Sequence, residues 1–213
     1  MSELLRKYRL YFFIVFTFVL VGFVVMLIWP KGEAILRLNG VDSRGLDFFF
    51  SNITKMGEWI GGLIVGLILL LTKKVKYVLT FIIAIGISSG SAKLLKTQVF
   101  PSNNRPAMEY NEELRSVNGI ELHHNYSFPS GHTTAAFCMF GILALSMGGV
   151  EWQIGLSGLA CLVGISRMYL GQHYLMDVIA GAVLGSFVAL MVYWSLLSTW
   201  KGDFVNKRLF KLK

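Results

Sequence analysis

Six long apolar runs, divided by short polar and charged stretches, organise the 213-residue chain. A helix that crosses a bilayer takes about 20 mostly apolar residues. Residues 10–29 meet this without a single charge, and residues 57–72, 77–95, 132–149, 153–170 and 176–197 follow as further runs. The first run is too long for a signal-peptide core and has no small-residue cleavage site after it, so it is expected to stay in the protein. The pattern predicts an all-α, polytopic membrane protein: a bundle of six transmembrane helices forming one domain over residues 1–213. Gly62/Gly66 and Gly181/Gly185 have the spacing that lets membrane helices approach closely, and are read as packing inside the bundle.

Two connections are long. Residues 30–55 hold two short amphipathic pieces, 33–38 and 46–50, expected to lie at the membrane interface with Phe48, Phe49 and Phe50 at the headgroup level. Residues 97–131 form the longest connection. Loops beyond about 12–15 residues are uncommon in compact domains unless they carry function or are disordered.

Charged residues make up 15% of the chain, against about 25% in soluble domains, which fits a bilayer protein. Cys138 and Cys161 both fall inside apolar runs, where they read as small hydrophobes rather than as a disulfide framework. The net charge of +8 does not point to nucleic acid, because the basic residues sit beside the apolar runs, where they suit anionic headgroups and fix orientation. Six crossings put both termini on one side. That side receives Arg6, Lys7, Arg9, Lys73, Lys74, Lys76, Lys201, Lys207, Arg208, Lys211 and Lys213, which is 11 of the 20 Lys and Arg, most of them close to helix ends. Both termini are therefore expected in the cytoplasm of a multi-pass cell-membrane protein, with residues 97–131 on the extracytoplasmic side.

Three polar clusters interrupt the apolar pattern, and all three fall on that outer side. Pro129-Ser130-Gly131-His132 opens the fourth run. Ser130 is a good N-cap, Gly131 allows close backbone approach, and the free amides of a helix start favour an anion. Ser166-Arg167 ends the fifth run, and His173 and Asp177 follow at an i, i+4 spacing, which on one helix would share a face. A carboxylate there can hold one imidazole nitrogen and leave the other free to attack. Lys96 ends the third run and Arg105-Pro106 lies in the loop after it, so that two more cations can converge on phosphate oxygens.

These stretches resemble the three-part signature of the type 2 phosphatidic acid phosphatase superfamily: Lys-x6-Arg-Pro, Pro-Ser-Gly-His and Ser-Arg-x5-His-x3-Asp. The second and third parts match without change; in the first, eight residues separate Lys96 from Arg105, so a bulge is expected before Arg105. Within the superfamily the chain is similar to the bacterial phosphatidylglycerophosphatase B and undecaprenyl-diphosphatase kind. The resemblance implies His173 as nucleophile through a phosphohistidine, Asp177 as its orienting partner and His132 as general acid and then base. It also implies Lys96, Arg105, Ser130, Gly131 and Arg167 as phosphate ligands, with no metal and no cofactor. The implied substrate is a lipid phosphate or diphosphate in the bilayer, such as undecaprenyl diphosphate or phosphatidylglycerophosphate.

Two other readings compete. A metal site would draw on His123, His124, His132, His173, Glu121 and Asp177, but their spacing matches no familiar ligand pattern. A transporter or binder of anionic lipid could use the same cationic pocket. The charges, however, gather at one face rather than at the midplane, where translocation paths place theirs.

Overall fold

The computed structural model describes residues 2–200 and 206–208, so Lys201, Lys211 and Lys213 of the basic termini lie outside it. Among the described residues the regular elements are all helical, apart from an isolated bridge between Lys74 and Arg208. The elements run α1 (Ser2–Lys7), α2 (Arg9–Ile28), α3 (Glu33–Asn39), α4 (Arg44–Ile53), a 3-10 turn (Thr54–Gly57), α5 (Trp59–Thr72), α6 (Val75–Leu94), a π-turn (Leu95–Val99), α7 (Pro106–Glu109), α8 (Gly131–Met147), α9 (Val150–Tyr169) and α10 (Leu175–Thr199). Each of the six apolar runs is thus a helix, and the two amphipathic pieces are α3 and α4.

By length and hydropathy alone, three helices qualify as spans: Arg9–Ile28, Val75–Val99 and Leu175–Leu196. A fourth is added if Arg44–Gly57 and Trp59–Thr72, bent by 60° against each other, count as one. The expected six crossings exceed this for two physical reasons. Helix α8 has only 17 residues, and α9 carries Glu151, Gln153, Ser157, Ser166 and Arg167, which lower its hydropathy.

Short turns fix the topology. Gly148, at φ 79°, takes the left-handed conformation that ends α8, and with Gly149 it is the whole connection to α9. Gly171, at φ 70°, turns the chain again between α9 and α10. Two tight turns in succession make α8, α9 and α10 antiparallel neighbours. The start of α8, the end of α9 and the start of α10 therefore meet at one end of the bundle.

Helix α8 is the centre of that bundle, buried almost throughout from Thr133 to Ser146 and packed against α10, α9 and α6. Its contact with α10 is made through small residues. A Cβ on Gly185 would stand 2.3 Å from the Thr134 carbonyl oxygen, and one on Gly181 would stand 2.8 Å from that of Ser130. This pair is internal packing, as expected, whereas Gly62 has open space and Gly66 meets only the edge of Phe81. The tyrosines of the flanking helices close the interior polar groups: Tyr8 and Tyr193 both donate to the Leu145 carbonyl at 2.6 Å, and Tyr11 donates to that of Phe137 at 3.1 Å. Large apolar side chains on α2, among them Phe13, Phe16, Leu27 and Ile28, face outward, as a lipid-facing helix requires.

Helices α3 and α4 and the 97–131 connection lock onto the end of α9. Asn39 is buried and bridges the Tyr169 carbonyl, at 2.8 Å, to the backbone of Arg115. Arg115 in turn grips both carboxylate oxygens of Asp47, at 2.9 and 2.7 Å, and the Tyr169 hydroxyl at 3.0 Å. Of the three phenylalanines expected at the headgroup level, Phe48 and Phe49 are exposed but Phe50 is not. Phe50 turns inward on α4 and packs on Tyr169, ring centroids 4.6 Å apart, because that face of α4 lies against α9.

Candidate active site

His173 is buried in the turn ahead of α10, not on the helix itself: Tyr174 is the N-cap and Asp177 the third helical residue. The i, i+4 expectation therefore fails in its geometry but not in its contact. Asp177 reaches back in a capping box, its Oδ2 accepting the Tyr174 amide at 3.0 Å. The same oxygen accepts the Ser127 hydroxyl at 2.5 Å and lies 3.4 Å from Nδ1 of His173. Ser127, also 3.4 Å from that nitrogen, comes from the long loop. With Nδ1 facing Asp177 and Ser127, Nε2 is the nitrogen left for chemistry. Burial first, then the charges of Arg105, Arg167 and Lys96, hold the imidazole well below its ordinary pKa of 6.5. Both effects favour the neutral ring, whose lone pair is free.

The three cations approach from three directions. Lys96 sits in the π-turn that ends α6, and its ammonium donates to the Tyr126 carbonyl at 2.6 Å and the Ser127 carbonyl at 3.2 Å. Tyr126 adopts φ 56°, a left-handed conformation uncommon for a bulky residue, and turns that carbonyl to the lysine. The π-turn, closed by Phe100 N–H to Leu95 C=O at 2.8 Å, is the local answer to the long Lys96–Arg105 spacing. Arg105 is held by its backbone amide on the His124 carbonyl at 2.7 Å, by Nε on the Asn125 carbonyl and by its guanidinium on Gln172, the latter two at 3.0 Å. Arg167 is buried at the end of α9; one guanidinium nitrogen donates to Thr54 at 2.6 Å, while its Nε has no partner among the described residues. A buried guanidinium with an unpaired N–H suits an oxyanion.

The start of α8 is tied to the start of α10 by the Ser130 amide, which donates to the Asp177 carbonyl at 3.0 Å. Ser130 occupies the N-cap position but its side chain makes no capping bond. It accepts the Thr133 hydroxyl at 2.9 Å instead, which leaves its own proton for another acceptor. Gly131 lies beside Lys96, with 3.9 Å between its Cβ position and the lysine Cε. His132, next in line, points Nε2 at Glu58 across 2.9 Å.

All eight residues singled out by sequence thus gather at one end of the bundle. His123 and His124 are exposed in the loop, and His124 serves Arg105 through its carbonyl alone. The sequence reading missed Ser127, Thr54 and Glu58. None had a motif to mark it, and they stand 50, 113 and 74 positions from their partners Asp177, Arg167 and His132. The one hint was a lone Glu58 at the edge of an apolar run.

Comparison with known proteins places these features in context. A profile described as the PAP2 superfamily matches residues 73–201. The chain is 34% identical over 99 residues to phosphatidylglycerophosphatase B of Bacillus subtilis, covering 42% of this chain and 49% of that one. It is 32% identical over 154 residues to undecaprenyl-diphosphatase of Sulfolobus acidocaldarius, covering 70% of this chain and 68% of that one. Among solved structures, Aquifex aeolicus LpxE superimposes with a TM-score of 0.68 at 27% identity, covering 77% of this chain and 94% of that one. Against several of its curated relatives the chain spans less than half of their length.

Proposed function

The chain belongs to the PAP2 superfamily, and from that premise we propose that it is a metal-independent lipid phosphate phosphatase working through a phosphohistidine. The observation that carries the reading is the buried His173, its Nδ1 held by Asp177 and Ser127, beside Lys96, Arg105 and Arg167.

In the first step the Nε2 lone pair of His173 attacks phosphorus. The bond from phosphorus to the lipid oxygen breaks, and a proton from His132 passes to that oxygen. Lys96, Arg105, Arg167, the Ser130 hydroxyl and the Gly131 amide hold the three equatorial oxygens, where the transition-state charge spreads; positioning and charge supply most of the catalysis in phosphoryl transfer. Asp177 stabilises the Nδ1–H that the phosphorylated ring keeps. In the second step water attacks phosphorus and gives its proton to His132, and the P–N pair returns to His173. The sum is lipid phosphate plus water to lipid alcohol plus phosphate; a lipid diphosphate gives the monophosphate.

The substrate is an amphiphile whose headgroup enters the cationic site while its chains stay in the bilayer. Undecaprenyl diphosphate and phosphatidylglycerophosphate are the first choices, supported by the names of the two relatives. The distribution of Lys and Arg supports cytoplasmic termini and an extracytoplasmic site.

The test is phosphate release by purified protein in detergent with chelator present. Wild type and His173→Ala are compared on a prenyl diphosphate, phosphatidylglycerophosphate, phosphatidic acid and a soluble ester. Release that the substitution abolishes, with acid-labile phosphate trapped on His173, is expected. Release from none of them would turn the reading to binding or transport of anionic lipid; phosphate trapped on another residue would sink the nucleophile.

A further inference from the structure

The bend between α4 and α5 touches two motif residues at once. Thr54 accepts from Arg167 at 2.6 Å, and four residues later Glu58 Oε1 stands 2.9 Å from Nε2 of His132. The backbone between them is pressed onto the histidine. A Cβ at Gly57 would lie 2.8 Å from the His132 carbonyl oxygen and 3.1 Å from its Cβ. The helix axis turns by 60° here, so that the bend dips into the site. These residues precede the stretch 73–201 matched by the family profile, and none belongs to the three-part signature.

We propose that residues 54–58 are a fourth part of the active site and that Glu58 is the positioning residue of His132. The proposal rests on the phosphatase reading above. Charged groups act on the His132 ring from three elements: Glu58 from the bend, Arg167 from α9 and Arg105 from the loop. Only Glu58 is anionic. Burial first, then two guanidinium groups and a helix start, oppose an imidazolium, yet a general acid must carry that proton. Glu58 counters them in part and accepts the Nε2–H, which leaves Nδ1 as the nitrogen that gives its proton to the leaving oxygen and regains it from water. Glu58 itself exchanges no proton and bonds to nothing new in either step. Each histidine then has its own carboxylate: Asp177 for the nucleophile, Glu58 for the acid.

The test is Glu58→Gln, which keeps shape and an acceptor while removing the charge. Help from a general acid matters most for a poor leaving group. Against an alkyl phosphate such as phosphatidic acid, turnover should fall about tenfold more than against p-nitrophenyl phosphate, whose leaving group needs little proton. KM should change little, Glu58→Asp should restore part of the ratio, and the substitution should add nothing in a His132→Ala background. An unchanged alkyl-to-aryl ratio would overturn the proposal. A wild-type protein inactive on every substrate would refute the phosphatase reading instead. The proposal is then judged by nitrogen NMR of histidine-labelled protein in detergent, titrated with acid: His132 should take up its proton at lower pH in Glu58→Gln than in wild type, and an unmoved titration would overturn it.

Discussion

Replacing Gly181 by alanine tests how far the catalytic geometry depends on helix packing. The added Cβ would stand 2.8 Å from the Ser130 carbonyl oxygen, 3.1 Å from the Thr133 Cβ and 3.2 Å from the Thr134 amide nitrogen. Two of these three are backbone atoms at the start of α8, and no rotamer change moves them. Ordinary contact requires α8 and α10 to part by about half an ångström. Such overpacking costs about 1–3 kcal/mol. It also falls where Ser130, through its amide on the Asp177 carbonyl, fixes the Pro-Ser-Gly-His turn against the His173–Asp177 pair. Reactive groups have to be held within about 0.5 Å, and a 1 Å error can cost about 100-fold. A loss of about tenfold in kcat follows, together with a lower melting temperature in detergent. The control is Gly86→Ala on the outward face of α6, where a Cβ meets nothing within 4 Å. The assay is phosphate release at saturating lipid, with thermal unfolding of the same samples. Gly181→Ala as active and as stable as Gly86→Ala would refute the reasoning.

Three further outcomes are expected. Asp177→Asn keeps an oxygen for Ser127 and Tyr174 but loses the charge beside His173, so kcat should fall by about 100-fold or more with KM little changed; a loss under about threefold would contradict the role. Because burial and the neighbouring cations lower the His173 pKa, the ring should stay neutral as pH falls through 6.5 and gain its proton only well below; nitrogen NMR that finds it protonating at or above 6.5 would be inconsistent. Arg115→Lys should lower stability by about 1–2 kcal/mol, since one ammonium cannot replace a guanidinium that serves Asp47, Tyr169 and two carbonyls; an unchanged unfolding transition would refute this.

The helices and the eight candidate residues that the fold brings together were legible because their signals are local. An apolar run, a Pro-Ser-Gly-His turn and a Ser-Arg-x5-His-x3-Asp string each lie within one stretch of chain. What escaped depends on contacts between distant stretches. Ser127 is one more loop serine until the fold brings it to Asp177, and Glu58 is one more helix-edge glutamate until the bend carries it to His132. Local rules also misplaced details they do govern. Ser130 has the right residue type for a cap, yet its side chain serves as acceptor for Thr133, and Phe50 follows α4 inward. Glycine spacing alone could not separate Gly181/Gly185, which seat α8 on α10, from Gly62/Gly66, which seat little.

The central place of α8 bears on how the protein meets bilayers of different thickness. At 17 residues the helix is about 25 Å long, short of the roughly 30 Å hydrocarbon layer. A lipid-facing helix of that length would have to thin the bilayer around it. Helix α8 is sheathed by α6, α9 and α10, so its level is set by its neighbours and not by the lipid. Tilting of outer helices such as α2 can absorb hydrophobic mismatch while the end that carries His132 keeps its height against His173. The depth of these two histidines is thereby buffered against the composition of the membrane around them.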